Sequence, residues 1–286
     1  MSGRLLAYTL VTAPRTRPAS LLAVLHGFFG AGRNWRTVAR GLVDARPEWG
    51  AVLVDLRLHG ASQGFAPPHT LDACAGDVEA LASALDLPVR AVLGHSFGGK
   101  AALAYLARAA RAQTPLRQVW VVDADPSAGA PAGSAWAMLR AVSALPPVFR
   151  TREECTAAIE RSGFDRRTAE WMTANLERTQ DGYRWRLDFP ALEMLLRDFF
   201  RADLWPVVEA VPADARLVVV KAVGSSVIPE ASVSRLEAIG RAGGRVVVER
   251  VAGGHWLNAD NPETMTALLA ARLPADARTP PAGASG

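Results

Sequence analysis

The apolar positions of this chain cluster into short runs, each followed by a longer segment with helical spacing. The runs at residues 5–11, 21–25, 51–54, 90–93, 118–122, 217–220 and 245–251 are rich in Val, Leu and Ala. Most are apolar throughout, which is how strands buried on both faces read, whereas strands with one wet face alternate. Between them, residues 34–45, 71–85, 100–111, 231–241 and 262–273 are predicted to be helical. Strand, loop and helix repeat in that order. The pattern predicts an α/β fold with a mainly parallel, doubly covered sheet, and it gathers functional groups at the C-terminal ends of the strands.

From Asp123 the alternation stops, and it resumes only at residue 217. Inside that interval Thr151 and Glu154 have the spacing of a capping box for a helix to about Arg161. Asp165 starts a second predicted helix running through Trp171 and Leu176, and Pro190 opens a third through Phe200. The expected organisation is a core built from residues 1–125 and 206–273, with a helical cap at 126–205 inserted before the last two strands. The Pro/Ala/Gly-rich tail at 274–286 is expected to be disordered, since it has little apolar surface to bury.

Composition narrows the class without choosing a function. A chain of 286 residues, 50% hydrophobic, has ample material for one large core. Basic and acidic residues number 32 and 28, and the arginines are scattered rather than gathered on one face, so nucleic acid is not an expected partner. Lys100 and Lys221 are the only lysines, a bias that reads as genomic composition. Cys74 and Cys155 lie far apart with no ligand-spaced neighbour, which signals neither a disulfide nor a zinc site. There is no signal-peptide pattern, and no apolar stretch approaches the roughly 20 residues that cross a bilayer. The expectation is a soluble protein of a reducing, cytoplasmic compartment.

Chemistry concentrates at Gly94-x-Ser96-x-Gly98, placed between a predicted strand and an alanine-rich helix. A serine in so tight a turn exposes its hydroxyl only if the residues two positions away carry no Cβ. A serine alone is a poor nucleophile, so a base and an oxyanion site are required. His255, in Gly253-Gly254-His255-Trp256 directly after the last strand, is the natural base. His26, His59, His69 and His95 are read as structural. The N–H groups of Phe97, after the serine, and of Phe28, in the loop His26-Gly27-Phe28-Phe29-Gly30, are the candidate oxyanion donors.

These residues resemble a serine hydrolase of the α/β-hydrolase family. The resemblance rests on the loop at 26–30, on Asp55-x-Arg57-x-His59-Gly60-x-Ser62, on Gly94-His95-Ser96-Phe97-Gly98-Gly99-Lys100 and on Gly254-His255-Trp256, all in the family's order. It covers the chain from about residue 20 to 273. Gly99-Lys100, Val122-Asp123 ahead of Pro126, Asn175-Leu176 and Tyr183-Arg184-Trp185-Arg186 make it most similar to the small acyl esterase and thioesterase branch. Many members carry the triad acid after the strand that follows the cap, but that loop here reads Gly224-Ser225-Ser226-Val227, with no carboxylate before Glu230. The resemblance therefore implies Asp123 as the acid, with Asp125 next in line.

What it implies overall is hydrolysis of a carboxylic ester or thioester of an apolar acyl group through an acyl-enzyme, with Ser96, His255 and Asp123 as the triad. No metal or organic cofactor is implied, and the partner is a small-molecule acyl ester or thioester. Trp35, Trp171 and Trp185 are expected to line an acyl pocket under the cap. Two other readings use the same residues: carbon–carbon bond hydrolysis or elimination on the same triad, and a ligand receptor that keeps the triad without turnover.

Overall fold

The computed structural model describes residues 4–275. Strands β1 (Tyr8–Val11) and β2 (Ser20–Leu25) come first, and a 3₁₀ turn at Gly32–Trp35 leads into helix α1 (Arg36–Ala45) and then β3 (Trp49–Val54). Helix α2 (Leu71–Ala84), β4 (Val89–His95), α3 (Phe97–Arg111) and β5 (Gln118–Val122) continue the alternation. The inserted segment holds α4 (Gly133–Ser143), β6 (Val148–Phe149), α5 (Arg152–Arg161), α6 (Arg166–Thr173), β7 (Leu176–Thr179), β8 (Gly182–Trp185), α7 (Phe189–Arg201) and α8 (Trp205–Glu209). The chain returns through β9 (Arg216–Ala222), α9 (Glu230–Gly243), β10 (Val246–Val251), α10 (Leu257–Asp260) and α11 (Pro262–Arg272).

Among the described residues seven strands form one sheet in the order β1-β3-β2-β4-β5-β9-β10, with β1 antiparallel to β3 and every other pairing parallel. Side chains alternate across the sheet, so each strand feeds two cores. On one face Leu21, Ala23 and Leu25 of β2 join Val119 and Val121 of β5 and the inner sides of α2 and α3. On the other, Leu22 and Val24 join Trp120 and the apolar sides of α1 and α11. Because both faces are covered, all six positions of β2 are buried, and this is why the strand reads as an unbroken apolar run.

The inserted segment is α+β rather than purely helical. Strands β6, β8 and β7 pair antiparallel in a small second sheet. The helix predicted to run through Leu176 stops at Thr173. Its last turn closes with Ala174 N–H on Trp171 O and Asn175 N–H on Met172 O, three residues back instead of four, and β7 starts one residue later. Gly182 follows the Gln180-Asp181 turn with φ +132°, and a Cβ there would run into the Phe149 carbonyl of the neighbouring strand. Helix α4 carried no sequence signal, because its N-cap is Ala132, with no side-chain oxygen to cap it. Capping does explain α5, α6 and α7, where Thr151, Asp165 and Asp188 accept from Glu154, Thr168 and Ala191 N–H. From residue 276 onward the tail expected to be disordered lies outside the described residues.

Candidate active site

Ser96 sits alone between the end of β4 and the start of α3, at φ 53° and ψ −116°. The left-handed φ is costly for a residue with a Cβ, and the surroundings hold it there. A Cβ on Gly94 would collide with the Gly98 carbonyl, and one on Gly98 with the carbonyls of Leu25 and His26. Ser96 N–H donates to Val122 O at 2.9 Å, so the turn is also tied to the end of the neighbouring strand. Six non-glycine residues have positive φ among those described, and three of them, Phe29, Ser96 and Asp123, surround this point.

The loop after β2 passes directly beside the serine: a Cβ on Gly27 would lie 3.1 Å from His95 Nδ1 and 3.5 Å from Ser96 Cβ. Gly30 N–H donates to Gly27 O at 2.9 Å, closing a tight turn with Phe28 and Phe29 at its corners. Phe29 takes the left-handed corner at φ 61°. Its carbonyl accepts at 3.0 Å from the side-chain amide of Asn175, which reaches over from the inserted segment. His26 braces the turn from below, donating from Nδ1 to Gly27 O at 2.7 Å and accepting Leu56 N–H on Nε2 at 3.0 Å. Burial drives its pKa down to about 4, so the ring stays neutral and keeps both bonds. Phe97 heads α3, where an N–H has no intrahelical acceptor and the helix end favours negative charge.

His255 follows β10 on a Gly-Gly pair whose first member, Gly253, has φ +138°. Its Nδ1–H donates to Asp123 Oδ2 at 2.7 Å, which leaves Nε2 as the basic nitrogen of the neutral ring. Asp123 is fully buried at the end of β5. Burial by itself would raise its carboxyl, but hydrogen bonds from His255, Ser225 and Ala222 N–H outweigh that and hold it below the usual carboxylate range. His95 donates from Nε2 to the His255 carbonyl at 2.7 Å, the two rings 4.7 Å apart. Its own pKa is pushed to about 3, chiefly by burial, so it positions His255 without carrying charge. The two alternative acids face elsewhere. Asp125 accepts from Ser127 Oγ at 3.2 Å, and Glu230 pairs with Arg250 at 3.6 Å.

A cavity of about 790 Å³ opens above these groups, lined by Phe28, Trp35, Ser96, His255 and Trp256 of the core and by Met138, Trp171, Phe199 and Phe200 of the inserted segment. Trp35 and Trp171 both line this cavity. Trp185 does not: it packs against Phe149 and Phe189 at 6.1 and 5.7 Å, because its place on β8 turns it into the small sheet's own core. Among the described residues no group of three or more His, Cys, Asp or Glu side chains is placed to hold a metal ion, and no helix is long and apolar enough to cross a membrane.

Strand order, elbow and cavity agree with a family-level match: the profile of the alpha/beta hydrolase family covers residues 22–268. The chain belongs to the alpha/beta hydrolase family. Among curated relatives it is similar to the sn-1-specific diacylglycerol lipase ABHD11 of Mus musculus, 26% identical over 65% of this chain and 60% of that protein. The corresponding lipase of Xenopus tropicalis is 27% identical over 85% of this chain and 74% of its own length. The match thus spans about 60% of the mouse lipase it resembles. A solved marine microorganism esterase superposes with a TM-score of 0.77 at 22% identity, covering 92% of this chain and 97% of that one.

Within this alpha/beta hydrolase fold, three contributors went unread in the sequence. Ser225 stands where other members carry the acid, and its side chain helps hold the Asp123 carboxyl below the usual carboxylate range. Trp256 belongs to the His255 motif in sequence, but it is also a wall of the cavity, its ring 5.0 Å from that of Trp171 and tilted against it. Asn175 carries part of the family resemblance, yet nothing in linear order signals its bond to Phe29, 146 residues away.

Proposed function

We propose that this alpha/beta hydrolase cleaves carboxylic esters or thioesters of apolar acyl groups through an acyl-enzyme. Ser96 Oγ attacks the acyl carbonyl while His255 Nε2 takes its proton, and Asp123 holds the imidazole in that tautomer and stabilises the imidazolium. The N–H groups of Phe28 and Phe97 receive the charge that develops on the carbonyl oxygen. His255 then returns the proton to the leaving alcohol or thiol, and water repeats the sequence to free the acid. The observation that carries the reading is the 2.7 Å bond from His255 Nδ1 to Asp123, beside a serine in a strained elbow at the foot of an aromatic-lined cavity.

The relatives' names place them among diacylglycerol lipases, and a mixed aromatic and aliphatic cavity of about 790 Å³ suits an acyl chain of an amphiphilic ester. The deciding experiment combines labelling by a fluorophosphonate, turnover of a series of nitrophenyl acyl esters and of a diacylglycerol, and the Ser96→Ala variant. Labelling and turnover should both vanish in Ser96→Ala while its circular dichroism and melting stay those of the folded protein. Turnover surviving in that variant removes the nucleophile assignment, and labelling of the parent protein without turnover of any ester favours a receptor role.

A further inference from the structure

Lys100 is buried on the first turn of α3, just behind Ser96, and its ammonium donates to three backbone carbonyls: Ser127 O at 2.7 Å, Ala202 O at 2.8 Å and Phe199 O at 2.9 Å. These acceptors belong to the two chain crossings that join the inserted segment to the core. Ser127 lies on the way out, shortly after β5. Phe199 and Ala202 lie at the C-terminal end of α7, where the last carbonyls have no intrahelical donor and the helix end attracts a cation. The crossings are joined to each other as well, by Gly129 N–H on Phe200 O at 2.7 Å and Leu204 N–H on Pro126 O at 2.9 Å. The ammonium also stands 4.7 Å from the centre of the Phe199 ring. That ring packs 5.6 Å from Phe97 and lines the cavity.

Composition points the same way. Of 32 basic residues only Lys100 and Lys221 are lysine, and both are buried with their ammonium groups on backbone carbonyls, Lys221 on Ala222 O and Ser225 O. A compact ammonium aims three N–H groups at carbonyls converging on one point, while the planar fork of a guanidinium spreads its donors. In this arginine-dominated chain both lysines place a buried ammonium on converging backbone carbonyls, three at Lys100 and two at Lys221, and the three-carbonyl geometry at Lys100 is the one a guanidinium fits least.

We propose that Lys100 is a positioning residue that pins both crossings of the inserted segment to the elbow helix and thereby sets the Phe199 wall, and so the acyl-length preference, of the cavity. The inference rests on the esterase reading for its kinetic readout but not for its structural one. Burial drives the Lys100 pKa down to about 8, against the opposing field of Asp125 and Asp203, so the third N–H is lost in a reachable pH range.

The test compares the full chain with Lys100→Met, which keeps the apolar stem without donors, and with Lys100→Arg. Hydrogen exchange at Gly129 and Leu204 is expected to quicken about tenfold or more in both variants, with β4 amides unchanged. For nitrophenyl esters, the ratio of kcat/KM for decanoate to that for acetate should shift about tenfold through KM, while acetate kcat stays within about threefold. Wild-type exchange at the crossings overturns the proposal, and so does an unchanged ratio or an equal loss for both esters. If the parent protein turns over no ester, the esterase reading falls and exchange alone decides the role of Lys100. If neither variant folds, the parent protein decides it: the decanoate-to-acetate ratio should change between pH 7 and 9, and a constant ratio overturns the proposal.

Discussion

At the residue scale, the sharpest question is which carboxylate orients the base. Asp123 alone of the three candidates reaches His255, at 2.7 Å, and it is fully buried and held ionised by His255, Ser225 and Ala222. Asparagine at position 123 would present its amide to a ring nitrogen that must keep its proton, and so would favour the wrong tautomer. Asp123→Asn is expected to lower ester turnover by about 10⁴, the loss measured for the same exchange in a protease triad. Asp125→Asn and Glu230→Gln should stay near the parent rate, since their carboxylates bond Ser127 and Arg250. Steady-state kinetics on the three folded variants decide the matter, and collapse of either of the last two with survival of the first would move the acid. Ser225→Ala tests the supporting hydroxyl and should cost far less than Asp123→Asn, because Ala222 N–H and His255 still hold the carboxylate.

At the scale of elements, two tryptophans that look alike in sequence have different duties. Trp171 lines the cavity and contacts Trp256, whereas Trp185 fills the core between β8, β6 and the start of α7. Trp185→Ala should therefore cost about 3–5 kcal/mol of stability, the usual penalty for emptying a large aromatic site. Trp171→Ala should melt nearly as the parent does but shift the preferred acyl length. Urea unfolding beside an ester chain-length series separates the two, and a reversed pattern would mean the segment has been misread. The elbow makes a parallel demand: Gly94→Ala has no room for its Cβ beside the Gly98 carbonyl, so it should fail to form the turn, with loss of fluorophosphonate labelling. The glycine requirement was legible from spacing alone. The hairpin of β7 and β8 and the fate of Trp185 were not, because two four-residue strands carry too short a pattern to compete with the helical one around them.

At the scale of the whole molecule, three neutral buried histidines couple stability to pH. Burial holds His26 at about 4 and His59 and His95 at about 3, while the unfolded chain titrates them near 6.5. Between those values the unfolded state binds more protons, so stability rises with pH and is lost as pH falls from about 6.5. Each histidine contributes about 1.4 kcal/mol per pH unit, or up to about 4 for the three together. Asp123, with its lowered pKa, adds its own loss only below the usual carboxylate range. Urea midpoints measured from pH 7 to pH 5 should fall steeply, and His59→Phe should flatten the slope by about a third. A midpoint constant over that range contradicts the neutral, buried state of these rings.

Periodicity by itself determined the central strands and the helices between them, because burial on both faces writes an apolar side chain into nearly every position of β2, β3, β4, β5 and β9, while the edge strands β1 and β10 are partly exposed. The need for glycine at positions 94 and 98 likewise marks Ser96 in the sequence alone, since a Cβ at either position would meet backbone carbonyls. Tertiary structure decided the rest. Asp123 and His255 lie 132 residues apart and meet only because parallel pairing sets the ends of β5, β9 and β10 side by side. The bond from Asn175 to Phe29 and the three carbonyls around Lys100 depend in the same way on how the inserted segment lands. Local pattern records which face of an element is dry, but which distant groups share that dry space follows from sheet order and from the landing of one segment on another, and no linear spacing encodes either.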